Sequence, residues 1–415
     1  MSARPASGRP APGRANLALL FILATVTLDA IGIGLIFPVM PDLMESVTHG
    51  TLSQAAMWGG VLATSYALMQ FLFGPIMGNL SDHFGRRPVL LVSLVVMTLD
   101  YLAMAVAPSV MLLLVTRIVA GIASATYSTA NAYIADISEP DQRAKNFGYI
   151  GAAFGIGFIA GPMIGGLTAG IDPRAPFWIA AGLAAANVLF GVLVLPESLS
   201  AANRRAFTLA RANPLASFAA IRRLPGLRLL LWVSFLYAVT FNVWSAVWSY
   251  YAKAAFGWNA QWNGLALAGF GVFMVIVQAF MVAPMIRRFG ERGTAATGMV
   301  LEVISYLFYG FATSGFWALV FTPMASVGGI TGPALQAMMS RATPEDQQGE
   351  LQGINASVVS LASMLSPLVM TWIFSYFTSA AAPIHLPGAP FLLSATIMVG
   401  VVIVFVAGSR APKTP

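Results

Sequence analysis

The sequence contains no cysteine, which excludes disulfides, thiol nucleophiles and thiolate metal ligands. Charge is scarce: Asp, Glu, Lys and Arg make up 9% of the 415 residues, against roughly 25% in soluble domains. A soluble globular domain is therefore excluded. Histidine is nearly absent too, and His49, His83 and His385 all fall in or near polar segments rather than within long apolar stretches. No GxxxxGK[ST] loop and no HExxH pair occurs, so neither a phosphate cradle nor a zincin site is written here. An intramembrane enzyme would need a nucleophile or metal constellation, and these absences leave it little to work with.

What the sequence has is apolar length. Hydrophobic residues make up 58% of it, in stretches near 20 residues, enough to cross a hydrocarbon core of about 30 Å. Alternation with period two is absent, which favours helices over a barrel. The pattern predicts an all-α membrane protein of twelve helices, over 17–40, 55–79, 88–107, 109–137, 144–170, 176–195, 227–252, 262–286, 295–313, 315–340, 350–377 and 388–408. The polar start does not read as a cleaved signal peptide, because the apolar stretch continues to Pro41.

Twelve crossings put both termini on one side. Of the 22 Lys and Arg, all but Arg117, Arg174 and Lys253 then fall in tails or loops on that same side. The positive-inside rule makes it the cytoplasm, so basic residues reflect topology and no nucleic-acid partner is expected. The expected domains are a cytoplasmic tail 1–16, a six-helix bundle 17–199, a linker 200–226, a second bundle 227–408 and a tail 409–415.

The two halves repeat at an offset of 205 residues: Phe84-Gly85 matches Phe289-Gly290, Asp141-Gln142 matches Asp346-Gln347, Gly148 matches Gly353 and Pro162 matches Pro367. Such repeats mark secondary transporters, with the substrate site at mid-membrane between the halves.

Three carboxylates lie inside predicted spans: Asp29, Asp100 and Glu302. A charge at a helix centre costs roughly 2.5–3.5 kcal/mol on insertion scales, so such a residue is a functional candidate by default. A carboxyl withdrawn from water is suited to reversible protonation, and these three are the candidates for proton coupling. Asp100 maps through the repeat onto Ser305, one turn from Glu302. Arg117 in the fourth span needs an anionic partner; Asp29 or another cavity carboxylate is the expected one.

Gly78, Asp82, Gly85, Arg86 and Arg143 read as a latch on the cytoplasmic side: charges that pair, and a turn at Gly85 that tolerates positive φ. Gly157, Gly161 and Gly165 make a smooth stripe for close helix approach, and Pro162 among them weakens the ladder locally; tight packing and a hinge are both consistent with this. Tyr66 and Gln70 share a face of the second span. With Asn131, Gln278 and Gln336 they are the polar candidates for touching substrate, interhelical hydrogen bonding being the ordinary alternative. Trp244 and Trp248 are expected to anchor at the membrane interface.

The run Gly78-Asn79-Leu80-Ser81-Asp82-His83-Phe84-Gly85-Arg86-Arg87 resembles the signature loop of the major facilitator superfamily. Arg117 with Gly121 is similar to its fourth-helix motif, and Gly157, Gly161-Pro162 and Gly165-Gly166 to the fifth-helix motif of its exporters. Leu28 to Pro38, Tyr66 to Phe71, Ala132 to Ile137, Leu195 to Ser198 and Pro333 to Met338 resemble the bacterial tetracycline/proton antiporters. The resemblance implies two six-helix bundles and alternating access. It implies export of a drug-like molecule, tetracycline complexed with magnesium, against protons across the inner membrane by a monomer with no cofactor. It also implies acidic roles for Asp29, Asp100 and Glu302, the last standing where the resembled proteins carry Asp. Met274 stands where they typically carry a histidine, so coupling here falls to carboxylates. Import by symport, transport of another organic solute and a receptor or scaffold role are the alternatives. The exporter-type fifth helix argues against import, and a scaffold has no use for three buried acids on separate helices.

Overall fold

A computed structural model describes residues 12–139, 142–208, 213, 225–344 and 347–408. The outer parts of both tails, most of the linker, and Asp141 and Asp346 of the repeat lie outside the described residues. Backbone amides that cannot meet water must bond within their own segment. Accordingly, among the described residues the chain is helical, and 11 runs are long and apolar enough to cross a membrane. One of them, Ala260–Phe311, has 52 residues, which at 1.5 Å per residue is long enough for two crossings. Gly290 breaks this run with a non-helical φ of 68° and ψ of 171°. Its repeat counterpart Gly85, between Leu52–Phe84 and Arg86–Val106, has φ 110° and ψ 161°. The two halves therefore turn at the same place with the same kind of glycine, and the described residues hold twelve crossings.

Most spans lie close to expectation, with instructive differences. The first, expected to end at residue 40, runs from Pro12 to Thr48 through Pro38 and Pro41. A proline removes one ladder bond and strains another, but here the rest of the helix is held by its neighbours. Three spans expected to be continuous are interrupted. The fourth divides into Val110–Ala123 and Thr126–Ile137, the seventh into Arg228–Phe241 and Val243–Phe256. The tenth passes through a 3₁₀ turn at Gly328–Ile330 between Gly315–Val327 and Thr331–Arg341. The breaks of the fourth and tenth spans again coincide at the repeat offset.

The glycine stripe of the fifth span, Arg143–Ala169, lies directly on the first span. A Cβ at Gly161 would stand 2.6 Å from the carbonyl oxygen of Ile31 and 2.9 Å from Cα of Gly34. Gly157 faces Thr27 and Ala30, and Gly165 faces Leu35. Backbone meets backbone here, with no flexible side chain to give way. Gly161→Leu is expected to destabilise the chain by about 3 kcal/mol or more, the upper end of overpacking costs. Denaturant unfolding of the purified protein measures it, with Gly148→Leu, which has open space around its Cβ position, expected to be near neutral.

The first six and last six crossings meet on the side away from the termini. Lys253, at the end of the seventh span, pairs with Asp42 and, at 2.5 Å, with Glu45 on the first span. The hydroxyl of Ser53 donates to the carbonyl of Ser375 at 2.7 Å. Gly166 seats against Ala260 and Gly264 of the eighth span. These contacts close that side between the halves. Trp244 and Trp248 are not interfacial anchors. Trp244 sits 5.1 Å from the rings of Tyr309 and Phe391, and Trp248 is buried 5.4 Å from Tyr309. Burial of several large rings against one another outweighs the interfacial preference of a lone tryptophan.

Candidate functional site

Inside the closed side lies a cavity of about 320 Å³. The first four spans build most of it, and Ser245, Ser249 and Tyr250 of the seventh and Pro367 of the eleventh complete it. Its charged feature is an ion pair. The guanidinium of Arg117 meets both oxygens of Asp100, with Nε 3.2 Å from Oδ1. The side chains are 13% and 2% exposed respectively. Arg117 also lies over the ring of Tyr66, 5.3 Å from its centroid. Of the partners expected for Arg117, the one found is Asp100 rather than Asp29, because the third and fourth spans pack side by side at that depth.

Tyr66 and Gln70 line the same cavity and converge on Ser124: the Tyr66 and Ser124 hydroxyls are 2.7 Å apart, and Gln70 Nε2 donates to Ser124 Oγ at 2.8 Å. Ser124 is the interruption of the fourth span, and nothing in the sequence singled it out. Asp29 sits just behind the wall, half-buried, within electrostatic reach of Tyr66 and Tyr101. Its Oδ1 is shielded from solvent and has no hydrogen-bond partner among the described residues. Gly32, one turn on, leaves the space into which the Tyr101 hydroxyl reaches.

Glu302 is not part of this cavity. It is buried in the second half beside Tyr237 and Tyr306. It presses on Gly328 while Met274 presses on the adjacent Gly329. Met274 and Glu302 thus flank the same 3₁₀ turn. A second cavity of about 210 Å³ lies nearby, lined by Tyr237 and Gln336 among others. Gln336 accepts from Asn355 Nδ2 at 2.9 Å. Asn131 and Gln278 line neither cavity. Asn131 bonds its own helix through the Tyr127 carbonyl at 2.9 Å, and Gln278 is exposed on a π-helical turn, Val277–Met281.

On the side of the termini, Arg86 joins Asp82 at 2.5 Å and Asp136 at 3.2 Å. Gly78, one turn before Asp82, has no neighbour where a Cβ would stand. Glu197 accepts from the backbone N–H of Arg86 at 2.9 Å and of Arg87 at 3.2 Å, so it caps the third span and favours its positive end. A side chain at Gly85 would collide with that carboxylate. Asp136 and Glu197 were visible only as parts of short motifs. Arg143 does not join this cluster: it donates to the carbonyl of Ala135 at 3.2 Å. The fifth span starts there, so its guanidinium meets the last turn of the fourth instead.

Two overlapping matches to the Major Facilitator Superfamily cover residues 22–251 and 230–415. The class C tetracycline resistance protein of Escherichia coli is 44% identical over 87% of this chain and 91% of that protein. The class G tetracycline resistance protein of Vibrio anguillarum is 38% identical over 86% of this chain and 90% of its own. The crystal structure of the nucleoside transporter NupG superposes with a TM-score of 0.78 at 14% identity, covering 96% of this chain and all of that one. At that identity the likeness concerns the fold.

Proposed function

This chain belongs to the Major Facilitator Superfamily and groups within it with the tetracycline resistance proteins, and on that premise we propose that it exports tetracycline, as a complex with a divalent cation, in exchange for protons across the bacterial inner membrane. The observation that carries this reading is the Asp100–Arg117 pair set in the wall of a half-closed cavity, with the unpartnered oxygen of Asp29 behind it. A buried ion pair contributes little to net stability compared with well-packed apolar residues, so its presence in a membrane calls for a use.

Protonation of a carboxylate beside Arg117 releases the guanidinium, and loss of that proton recaptures it. Proton and a cation-bearing substrate complex can therefore compete for the same carboxylates, Asp29 and Asp100, which is what exchange requires. Asp29, Asp100 and Glu302 are the proposed proton carriers, with Met274 leaving the second half to rely on Glu302. Tyr66, Gln70 and Gln336 are the proposed substrate contacts, and Asn131 and Gln278 would act only in another conformation. The Asp82–Arg86–Asp136 group would hold one state, and the Gly157–Gly165 stripe with Pro162 would let the first and fifth spans pivot together. The basic loops support cytoplasmic termini. The chain would act as a monomer with no cofactor, driven by the proton gradient.

Inverted vesicles containing the wild-type chain are expected to accumulate tetracycline with magnesium when energised, and to lose it when the proton gradient is collapsed. Absence of gradient-dependent uptake by well-folded protein would remove tetracycline as substrate. Met274 favours another organic solute as the next candidate.

A further inference from the structure

We propose that the last six crossings carry a second substrate subsite, a neutral polar recess that receives the oxygen-rich edge of a flat fused-ring amphiphile while an aromatic wall of the first six crossings takes its apolar face. The inference rests on the export reading and adds which residues recognise which side of the molecule.

The recess is the smaller cavity, about 210 Å³. Its polar side chains are Ser234, Tyr237, Asn242, Gln336, Asn355 and Ser363, none of them charged. They form a partial network. Asn355 donates to Gln336 at 2.9 Å, Ser234 Oγ stands 3.5 Å from Asn355 Oδ1, and Asn242 Nδ2 reaches Ser363 Oγ at 3.4 Å. Both Gln336 and Asn242 line the cavity, and Asn242 Nδ2 also donates to the Ala238 carbonyl of its own helix at 2.9 Å. Three helices bring side-chain amides and hydroxyls together here, and interhelical hydrogen bonding accounts for those that pair.

The internal repeat says what stands at the same positions in the other half. The 205-residue offset is structural as well as sequential: it relates the two positive-φ turns at Gly85 and Gly290 and the breaks of the fourth and tenth spans. Applied to the recess, it carries Asn242, Gly332, Val359 and Ser363 onto Phe37, Tyr127, Phe154 and Phe158. Those four rings form a continuous chain. Phe37 to Phe158 and Phe158 to Phe154 are each 6.0 Å between centroids, and Phe154 to Tyr127 is 5.8 Å. Tyr127 and Phe154 are 49% and 36% exposed, while Phe37 belongs to the wall of the first cavity. One half thus offers a run of rings where the other has Asn242, Gly332, Val359 and Ser363, while Gln336 and Asn355 map onto Asn131 and Ile150.

The two surfaces are continuous with the charged cavity. Ser245 and Pro367 line that cavity, and Asn242 and Ser363 of the recess stand about one turn before each of them on the same helices. A molecule whose ionic group meets Arg117 and Asp100 can therefore extend between a wall that stacks and a recess that hydrogen-bonds. Stacking on such a wall contributes through area and ring geometry. A site built to bond oxygens discriminates far more sharply than an apolar one, because its amides are stranded by a molecule lacking them.

The test is equilibrium binding of tetracycline to the purified full chain, followed by the ligand's own fluorescence. Gln336→Leu with Asn355→Leu, and separately Phe154→Ala with Phe158→Ala, should each raise Kd about tenfold, and the combination about a hundredfold. Ser363→Phe, which places in the recess the ring found at Phe158, should abolish measurable binding, with an unchanged elution profile and melting temperature reporting that the fold survives. Wild-type binding with both pairs within twofold of it would overturn the subsite and leave the export reading standing. Failure of the wild type itself to bind tetracycline would overturn the export reading and the subsite with it.

Discussion

Asp100→Asn is expected to abolish both gradient-driven uptake and substrate exchange, by at least a hundredfold, and to cost stability as well. The reason is an asymmetry between the two partners. Arg117 is 13% exposed and Asp100 only 2%, so removing the carboxylate leaves a guanidinium at membrane depth that cannot shed its proton. Breaking a buried pair by deleting one member costs roughly 3–5 kcal/mol. The ring of Tyr66, 5.3 Å away, already faces the guanidinium in the wild type, so its attraction of about 2 kcal/mol in a desolvated setting offsets little of that loss. Arg117→Gln leaves the opposite orphan, a carboxyl that can neutralise itself by binding a proton, and should be the milder change in stability. The double variant Asp100→Asn with Arg117→Gln should therefore unfold at a higher temperature than Asp100→Asn alone, yet transport no better. Thermal unfolding alongside vesicle uptake measures both. Recovery of uptake in the double variant would mean that the pair is structural.

The candidate acids were legible from composition alone, since three carboxylates in apolar stretches stand out wherever charge is this scarce. Their partners were not. Whether Arg117 meets Asp29 or Asp100 depends on the rotation of the third and fourth spans, which hydropathy does not encode. The same limit explains Ser124, which gathers Tyr66 and Gln70 but reads in sequence as an ordinary small residue. It explains why Asn131 lines neither cavity, its amide satisfying its own backbone. Span number came through the apolar stretches, yet the breaks at Asn242 and Gly328–Ile330 did not, because a single interrupted turn barely alters an average taken over 20 residues. The repeat offset was the more informative signal. It found Gly85 and Gly290 as partners from a two-residue match, and both take a positive φ, 110° and 68°.

Asp29→Asn should separate what Asp100→Asn confounds. Asp29 holds no ion pair, and its Oδ1 has no hydrogen-bond partner among the described residues, so a near-isosteric amide removes no contact that the fold relies on. Stability should be unchanged or slightly higher, since a shielded charge is removed at a depth where charge is expensive. If Asp29 carries the exchanged proton, accumulation of tetracycline against its gradient should fall at least a hundredfold, equivalent to about 2.8 kcal/mol. Exchange of tetracycline for tetracycline across the same vesicles, which needs no net proton movement, should stay within about threefold of wild type. Loss of both activities would place Asp29 with Arg117 and Asp100 in holding the substrate. Retention of both would leave Asp100 and Glu302 to carry the proton. The contrast between the two variants is what the geometry demands: one acid is already committed to a cation in the cavity wall, and the other stands behind that wall with an oxygen to spare.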